Sequence, residues 1–144
     1  MEFDNHCVFC KIIAGEIPAA KIYEDDKVLS FLDIAPFNFG HALVIPKTHC
    51  HGISDLPDDY RDAIFAAAAK IAPAIMRATG ALGFNLLMNN GQVAGQEVPH
   101  AHLHIIPRFV DDKVLLGASQ KQYQGSELAE MQAKIQEKIA ARNA

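Results

Sequence analysis

Three histidines occupy every second position of P-H-A-H-L-H-I-I-P-R, residues 99–108: His100, His102 and His104. Strand side chains alternate between faces, so a strand over 100–106 sets three imidazoles on one side and Ala101, Leu103 and Ile105 on the other. Next-nearest side chains on such a face lie roughly 6.5–7 Å apart, so one phosphoryl group, metal ion or small anion can touch two rings at once. Histidine is a mediocre strand former, and covering a solvated sheet face gives no reason for three of them. Two chemistries suit the set. Imidazole is the commonest metal ligand, so the rings could hold a catalytic ion. A free imidazole also titrates near ~6.5, which leaves a neutral attacking nitrogen at pH 7 while its neighbours bind developing charge or move protons.

A second candidate is Cys7-Val-Phe-Cys10. The spacing suits a zinc pair, a redox pair or neither. A thioredoxin-like motif needs a strand before it, and only six residues precede Cys7. Zinc needs two more ligands. With Cys50 the chain has three cysteines, an odd count that makes a poor disulfide framework.

The elements that must carry these groups follow from pattern. Residues 8–14 read as a short helix stopped by Gly15, and Pro18 ends the connection after it. Strands are expected at 21–23 and 28–32 around Glu24-Asp25-Asp26, then a loop over 33–40 and a buried strand over 42–46. Ile64, Ala68, Ile71 and Ile75 mark one apolar face of a helix over 58–79, with Asp58 and Asp59 at its positive end. Pro73 should kink or shorten that helix, and Gly80 closes it. A strand over 84–88, an Asn89-Asn90-Gly91 turn and a small-residue loop over 91–99 lead into the histidine strand. A last helix over 126–142 has Ser126 as its N-cap and Leu128, Met131, Ile135 and Ile139 on one face.

The length of 144 residues suits one domain, and 50% hydrophobic with 21% charged residues is ordinary for a globular chain, not a disordered one. No apolar run approaches the ~18–20 residues of a membrane span. The first ten residues lack the basic, then apolar pattern of a signal peptide, so a cytoplasmic location with reduced thiols is expected. A net charge of −4 argues against general nucleic-acid binding, though not against one nucleotide in a local pocket.

H-A-H-L-H-I-I fits the H-φ-H-φ-H-φ-φ signature of the histidine triad (HIT) family, where φ is hydrophobic. C-K-I-I-A-G-E-I-P-A (10–19), Y-E-D-D-K-V-L-S-F-L-D-I-A-P (23–36), G-H-A-L-V-I-P-K-T-H (40–49) and N-N-G-Q-V-A-G-Q-E-V-P-H (89–100) resemble its Hint-like branch in the same order. The resemblance implies an α+β fold of the HIT type: an antiparallel sheet of about five strands with helices packed on one face. It implies one HIT domain over 1–144, with a catalytic core at about 7–108 and a C-terminal helical extension at about 109–144.

By the same resemblance the chain is a nucleotidyl hydrolase or transferase, phosphoramidase-like, acting at the α-phosphate of purine nucleotide conjugates through a nucleotidyl-histidine intermediate. His102 is then the nucleophile, His104 contacts the α-phosphate, and His41 orients the triad. Asp33 takes the ribose hydroxyls. Phe9, Phe31 and Ile34, with Val8, Ile12, Ile17 and Leu43, form an apolar slot for the base. Asn89, Gly95, Gln96 and Glu97 form the phosphate loop. Glu97 departs from the family's usual serine or threonine, and a carboxylate beside a phosphate is repulsive unless it faces away. Its backbone amide is then the donor. Relatives with the C-x-x-C complete a structural zinc site, which here implies Cys7, Cys10, His49 and His100; no organic cofactor is implied. A homodimer is expected, with the 58–79 helix as the natural interface. The alternatives are a dinucleoside polyphosphate hydrolase, a zinc-dependent hydrolase with its ion on the triad, a non-catalytic nucleotide sensor or scaffold, and a nucleic-acid end-processing enzyme, which the acidic charge disfavours.

Overall fold

The structure is a computed structural model that describes residues 2–116 and 120–141. The element order is α1 (Val8–Ile13), β1 (Lys21–Glu24), β2 (Val28–Leu32), β3 (Ala42–Pro46), α2 (Asp58–Thr79), β4 (Gly83–Leu87), a 3₁₀ turn (Gln92–Ala94), β5 (Leu103–Arg108) and α3 (Glu127–Ala140). The strands form one antiparallel sheet in the order β1-β2-β3-β5-β4.

All ten residues of β2 and β3 are buried, so both faces of the sheet centre are covered. On one face Val28, Leu32, Ala42, Val44, Leu103 and Ile105 meet Ile64, Ala68, Ile71 and Ile75 of α2 and Ile135 of α3. A fully buried side chain of this size stabilises the fold by about 1.5–3 kcal/mol relative to exposure. The two long helices therefore share a face. The opposite face is only partly covered: Leu29, Phe31, Leu43 and Ile45 meet Phe9, Cys10 and Ile12 of short α1. The uncovered part of that face is where a ligand can reach the sheet.

Three local expectations change. Pro73 lies inside α2, which continues unbroken to Thr79, because Ile71, Ala72, Ala74 and Ile75 on both sides of it are buried and hold the helix across the missing bond. Ladder pairing in β5 begins at Leu103, three residues later than the spacing suggests. Before it, the Ala101 N–H donates to the Cys50 carbonyl (2.8 Å), which replaces a ladder bond. Ser126 holds the N-cap position of α3 without a side-chain capping bond; Glu127 Oε1 instead accepts the Gln124 N–H at 2.6 Å. Residue 142, expected in that helix, lies outside the described residues.

The two sheet margins differ. At β1 the Lys21 carbonyl accepts from both Gln132 Nε2 (2.7 Å) and Gln136 Nε2 (2.8 Å) of α3. At β4 no described strand pairs with the outer side, and Phe84 and Leu86 are exposed, as are nearby Leu82 and Phe65 of α2. The chain after β5 folds back over the 33–41 loop. Asn38 Nδ2 donates to the Pro107 carbonyl (2.9 Å) and to Asp112 Oδ2 (3.0 Å), and Arg108 clasps the same carboxylate. The Lys121 N–H donates to the Pro36 carbonyl (2.6 Å), and the Tyr123 hydroxyl accepts the Gly40 N–H (2.8 Å). Gly40 needs its missing side chain: its φ is +96° and a Cβ would lie 2.8 Å from Thr79 Cγ2. No described helix is long and apolar enough to cross a membrane.

Candidate active site

The three imidazoles lie on one side of the chain, as alternation requires. The ring of Phe9 in α1 packs edge-on against both His100 (5.8 Å between centroids) and His102 (5.3 Å), and His102 packs against His104 at 4.9 Å. His104 pairs across the ladder with Leu43, so the residue two before Leu43, His41, shares its face. His41 Nε2 is 2.9 Å from His104 Nδ1.

Backbone partners fix the tautomer of each ring. His102 Nδ1 is 2.7 Å from the His100 carbonyl, which can only accept, so Nδ1 carries the proton and Nε2 keeps a bare lone pair. The Phe37 N–H can only donate, and it donates to His41 Nδ1 at 3.1 Å. The proton of a neutral His41 is therefore on Nε2, where it donates to His104 Nδ1, and the His104 proton is left on Nε2. Burial keeps these rings neutral. It lowers His41 to about 3 and His104 to about 4, in both cases helped by neighbouring imidazoles. His102 is also lowered by burial, but its bond to the His100 carbonyl and the carboxylates of Asp33 and Glu97 oppose the shift.

His102 and His104 line a cavity of about 890 Å³. Its walls include Phe9, Phe31, Asp33, Ile34, Asn89, Gly95 and Glu97, together with Val8, Ile12, Ile17 and Leu43. Ile34 is 76% exposed and stands at the mouth. Asp33 Oδ1 accepts the Ala35 N–H (2.9 Å), Oδ2 stands 3.7 Å from His41 Nε2, and burial pushes its carboxyl pKa up. Gly95 has a φ of +95°, a conformation that L side chains rarely adopt, and its carbonyl accepts from Asn89 Nδ2 at 3.3 Å.

Gln96 is the exception among the loop residues. It was expected to donate to phosphate, yet it does not line this cavity. Its Nε2 donates to the His51 carbonyl (2.6 Å) and the Val98 carbonyl (3.0 Å), and its Oε1 accepts the Gly91 N–H (2.8 Å). Both amide hydrogens are used, one to pin the loop to the segment after His49 and the other to bind Val98 within the loop itself. The reading from sequence also missed Leu116 and Gln120, which come from the chain after β5 and line the cavity. Nothing in their spacing marks them; only the fold-back brings them there.

Among the described residues, two groups bring metal-ligating atoms within 4.8 Å of one another. The first is Cys7, Cys10, His49 and His100. Cys7 Sγ is 3.4 Å and Cys10 Sγ 3.6 Å from His100 Nδ1, and Cys10 Sγ is 3.5 Å from His49 Nδ1. A tetrahedron with zinc–sulfur near ~2.3 Å and zinc–nitrogen near ~2.0–2.1 Å has sulfur–nitrogen edges of about 3.5 Å. His100 Nε2 donates to the Pro46 carbonyl (3.0 Å), which leaves Nδ1 free to coordinate, and Asp4 Oδ2 lies 3.8 Å from His49 Nε2 behind the ligand. The donor set fits zinc. Without a cation, burial pushes the Cys10 thiol up to about 11.

The second group is Asp33, His41 and His104. Here the hydrogen bonds oppose a metal. His41 Nδ1 already accepts a backbone proton, so a metal at Nε2 would have to displace the ring's only proton and bind an imidazolate. The ligand atoms are close because they share a hydrogen bond, and a catalytic ion on the triad does not suit them. Cys50 is buried and belongs to neither group, and exposed His51 pairs with Asp55 instead.

An open antiparallel sheet with alternating imidazoles on the floor of a cavity defines a protein of the histidine triad class. The chain belongs to the HIT family, in its Hint-like branch, with the HIT domain matching residues 14–111. It is 50% identical over 104 residues to an adenylylsulfatase of Arabidopsis thaliana, covering 72% of this chain and 53% of that one. It is 46% identical over 105 residues to an adenosine 5′-monophosphoramidase of Schizosaccharomyces pombe, covering 71% and 74%. The zinc-bound histidine triad protein of Mycobacterium smegmatis superposes with a TM-score of 0.86 at 37% identity, over 96% of each chain.

Proposed function

We propose that this protein is a phosphoramidase-like nucleotidyl hydrolase, acting at the α-phosphate of purine nucleotide conjugates through a covalent intermediate on His102. The observation that carries the reading is the bond from His102 Nδ1 to the His100 carbonyl, which aims a bare Nε2 into the cavity. That nitrogen forms a bond to the α-phosphorus as the bond to the leaving group breaks, and the leaving nitrogen takes one proton from solvent; the water that later attacks the phosphorus returns one proton to solvent. The ring keeps its Nδ1 proton, and its positive charge faces the His100 carbonyl and the carboxylates of Asp33 and Glu97. The His104 Nε2–H, held in that tautomer by His41, donates to a phosphoryl oxygen. Water then attacks the nucleotidyl-histidine, releases the nucleoside monophosphate and restores His102.

The rest of the cavity suits the rest of the substrate. Phe9, Phe31, Ile34 and Leu43 present flat and branched apolar surface to a purine, and Asp33 can accept from two ribose hydroxyls. Asn89, Gly95 and the backbone N–H of Glu97 surround the phosphate, with Gln96 holding the loop in place. Cys7, Cys10, His49 and His100 would hold a structural zinc, which supplies no chemistry but ties α1 to the chain beside His102. The bare β4 margin with Phe65, Phe84 and Leu86 supports a homodimer that includes α2, as expected, and the outer side of β4 as well.

The test is to incubate the protein with adenosine 5′-phosphoramidate, quench within a single turnover and map adducts by mass spectrometry. An adenylyl group on His102, absent from His102→Ala, is the expected result, with one zinc per chain by metal analysis of the same preparation. Turnover without an adduct in a quench shorter than one turnover would overturn the covalent route. Nucleotide binding without turnover would leave a binding module only.

A further inference from the structure

Among the described residues, the cavity beside His102 is lined by two carboxylates, Asp33 and Glu97, and by neither lysine nor arginine. Asp33 is engaged by the Ala35 N–H and faces His41. Glu97 is exposed, and among the described residues nothing hydrogen-bonds or ion-pairs with its carboxylate. Its backbone is nonetheless held firmly, because the Gln96 amide binds the chain on both sides of it, at Gly91 and at Val98.

A second cavity, of about 930 Å³, adjoins the first and, among the described residues, shares Gly95 and Glu97 with it. Its other acid, Asp55, is occupied by the His51 and Gly52 N–H groups, and its one basic side chain is the exposed His51. Glu97 is thus a free carboxylate on the boundary between two cavities. The base and ribose have a wall and a partner in the first cavity, so the departing part of the conjugate needs space beyond the phosphate. The adjoining cavity supplies it, and any group that enters it passes Glu97.

We propose that Glu97 selects the charge of the leaving group, favouring nucleotide conjugates of amines that carry a second, cationic amine over those with neutral or anionic ends. This rests on the reading of His102 as the nucleophile. A unit charge within about 4–6 Å of a carboxylate near a protein surface changes a binding or activation equilibrium by about tenfold, with a sign set by the charge. The family's usual hydroxyl at this position makes no such distinction. The preference weakens with salt, because Glu97 is exposed to solvent.

The test uses three adenosine 5′-phosphoramidates, made from 1,4-diaminobutane, butylamine and 4-aminobutyrate. The reacting P–N bond is alike in all three, and the far end is cationic, neutral or anionic. The expected order of kcat/KM is cationic, neutral, anionic, with about tenfold between successive members at low salt. In both Glu97→Gln and Glu97→Thr the ratio of cationic to anionic substrate collapses toward one, whatever the absolute rates. Equal kcat/KM for all three, or a ratio that Glu97→Gln leaves unchanged, overturns the role of Glu97 while leaving the His102 reading intact. No turnover of any of the three overturns the His102 reading, and this one with it.

Discussion

At the scale of single residues, the proposed reaction depends on the protons the histidines do not hold. As the proposed nucleophile His102 has to be neutral, and burial lowers its pKa from 6.5. The acid limb of a kcat/KM profile is therefore expected below pH 6.5, with a plateau from there to pH 8, measured with an uncharged amine conjugate. His41 adds a stability effect of definite sign. Unfolded, it takes a proton near 6.5; folded, only near 3. Its contribution is complete above pH 6.5 and is lost as pH falls toward 3, because the unfolded state binds the proton first. A thermal-unfolding series from pH 7 to 4 should fall more steeply in the wild type than in His41→Gln. The grouping of the histidines at the cavity, and of Cys7, Cys10, His49 and His100 with one another, was legible from alternation and from family motifs, since each proposed role needs one particular residue type. The role of Gln96 was not. A glutamine amide serves phosphate and backbone carbonyls equally well, and its partner carbonyl at His51 lies 45 residues away.

At the scale of elements, pattern located the α-helices and strands; β2, β3 and α2 bury a face that composition reveals, whereas β4, with no buried residue, was placed by its neighbouring turn signals. Tertiary contacts overrule local rules at the delayed start of β5, and Pro73 does not shorten α2, whose bounds match those read from the sequence. The fold-back after β5 was illegible for a related reason: it is held by single polar bonds, not by an apolar pattern. Tyr123 tests it. Tyr123→Phe keeps the contact with Phe39 (4.7 Å between rings) and removes only the acceptor for the Gly40 N–H. The expected cost is about 1 kcal/mol in denaturant unfolding. In kinetics, KM should rise and kcat should fall together, because the loosened 33–41 loop carries both Asp33 and His41, the partner of His104.

At the scale of the whole molecule, some of the exposed apolar groups lie on α2 and on the open margin of the sheet. Phe65, Phe84 and Leu86 belong to α2 and to the open margin of the sheet. Leu86→Lys is expected to halve the particle mass measured by light scattering, leaving the circular dichroism of the folded chain unchanged. A mass independent of that substitution would point to a dimer formed elsewhere or to a monomer. The opposite margin contains the further consequence. Two glutamines of α3 occupy the Lys21 carbonyl at the start of β1, which takes one acceptor of that edge away from a strand of another copy. Strand addition is thereby hindered at that rim, and pairing across a twofold axis would use the other one up. Crowding such a protein to high concentration should yield pairs that go on repelling one another, not fibres.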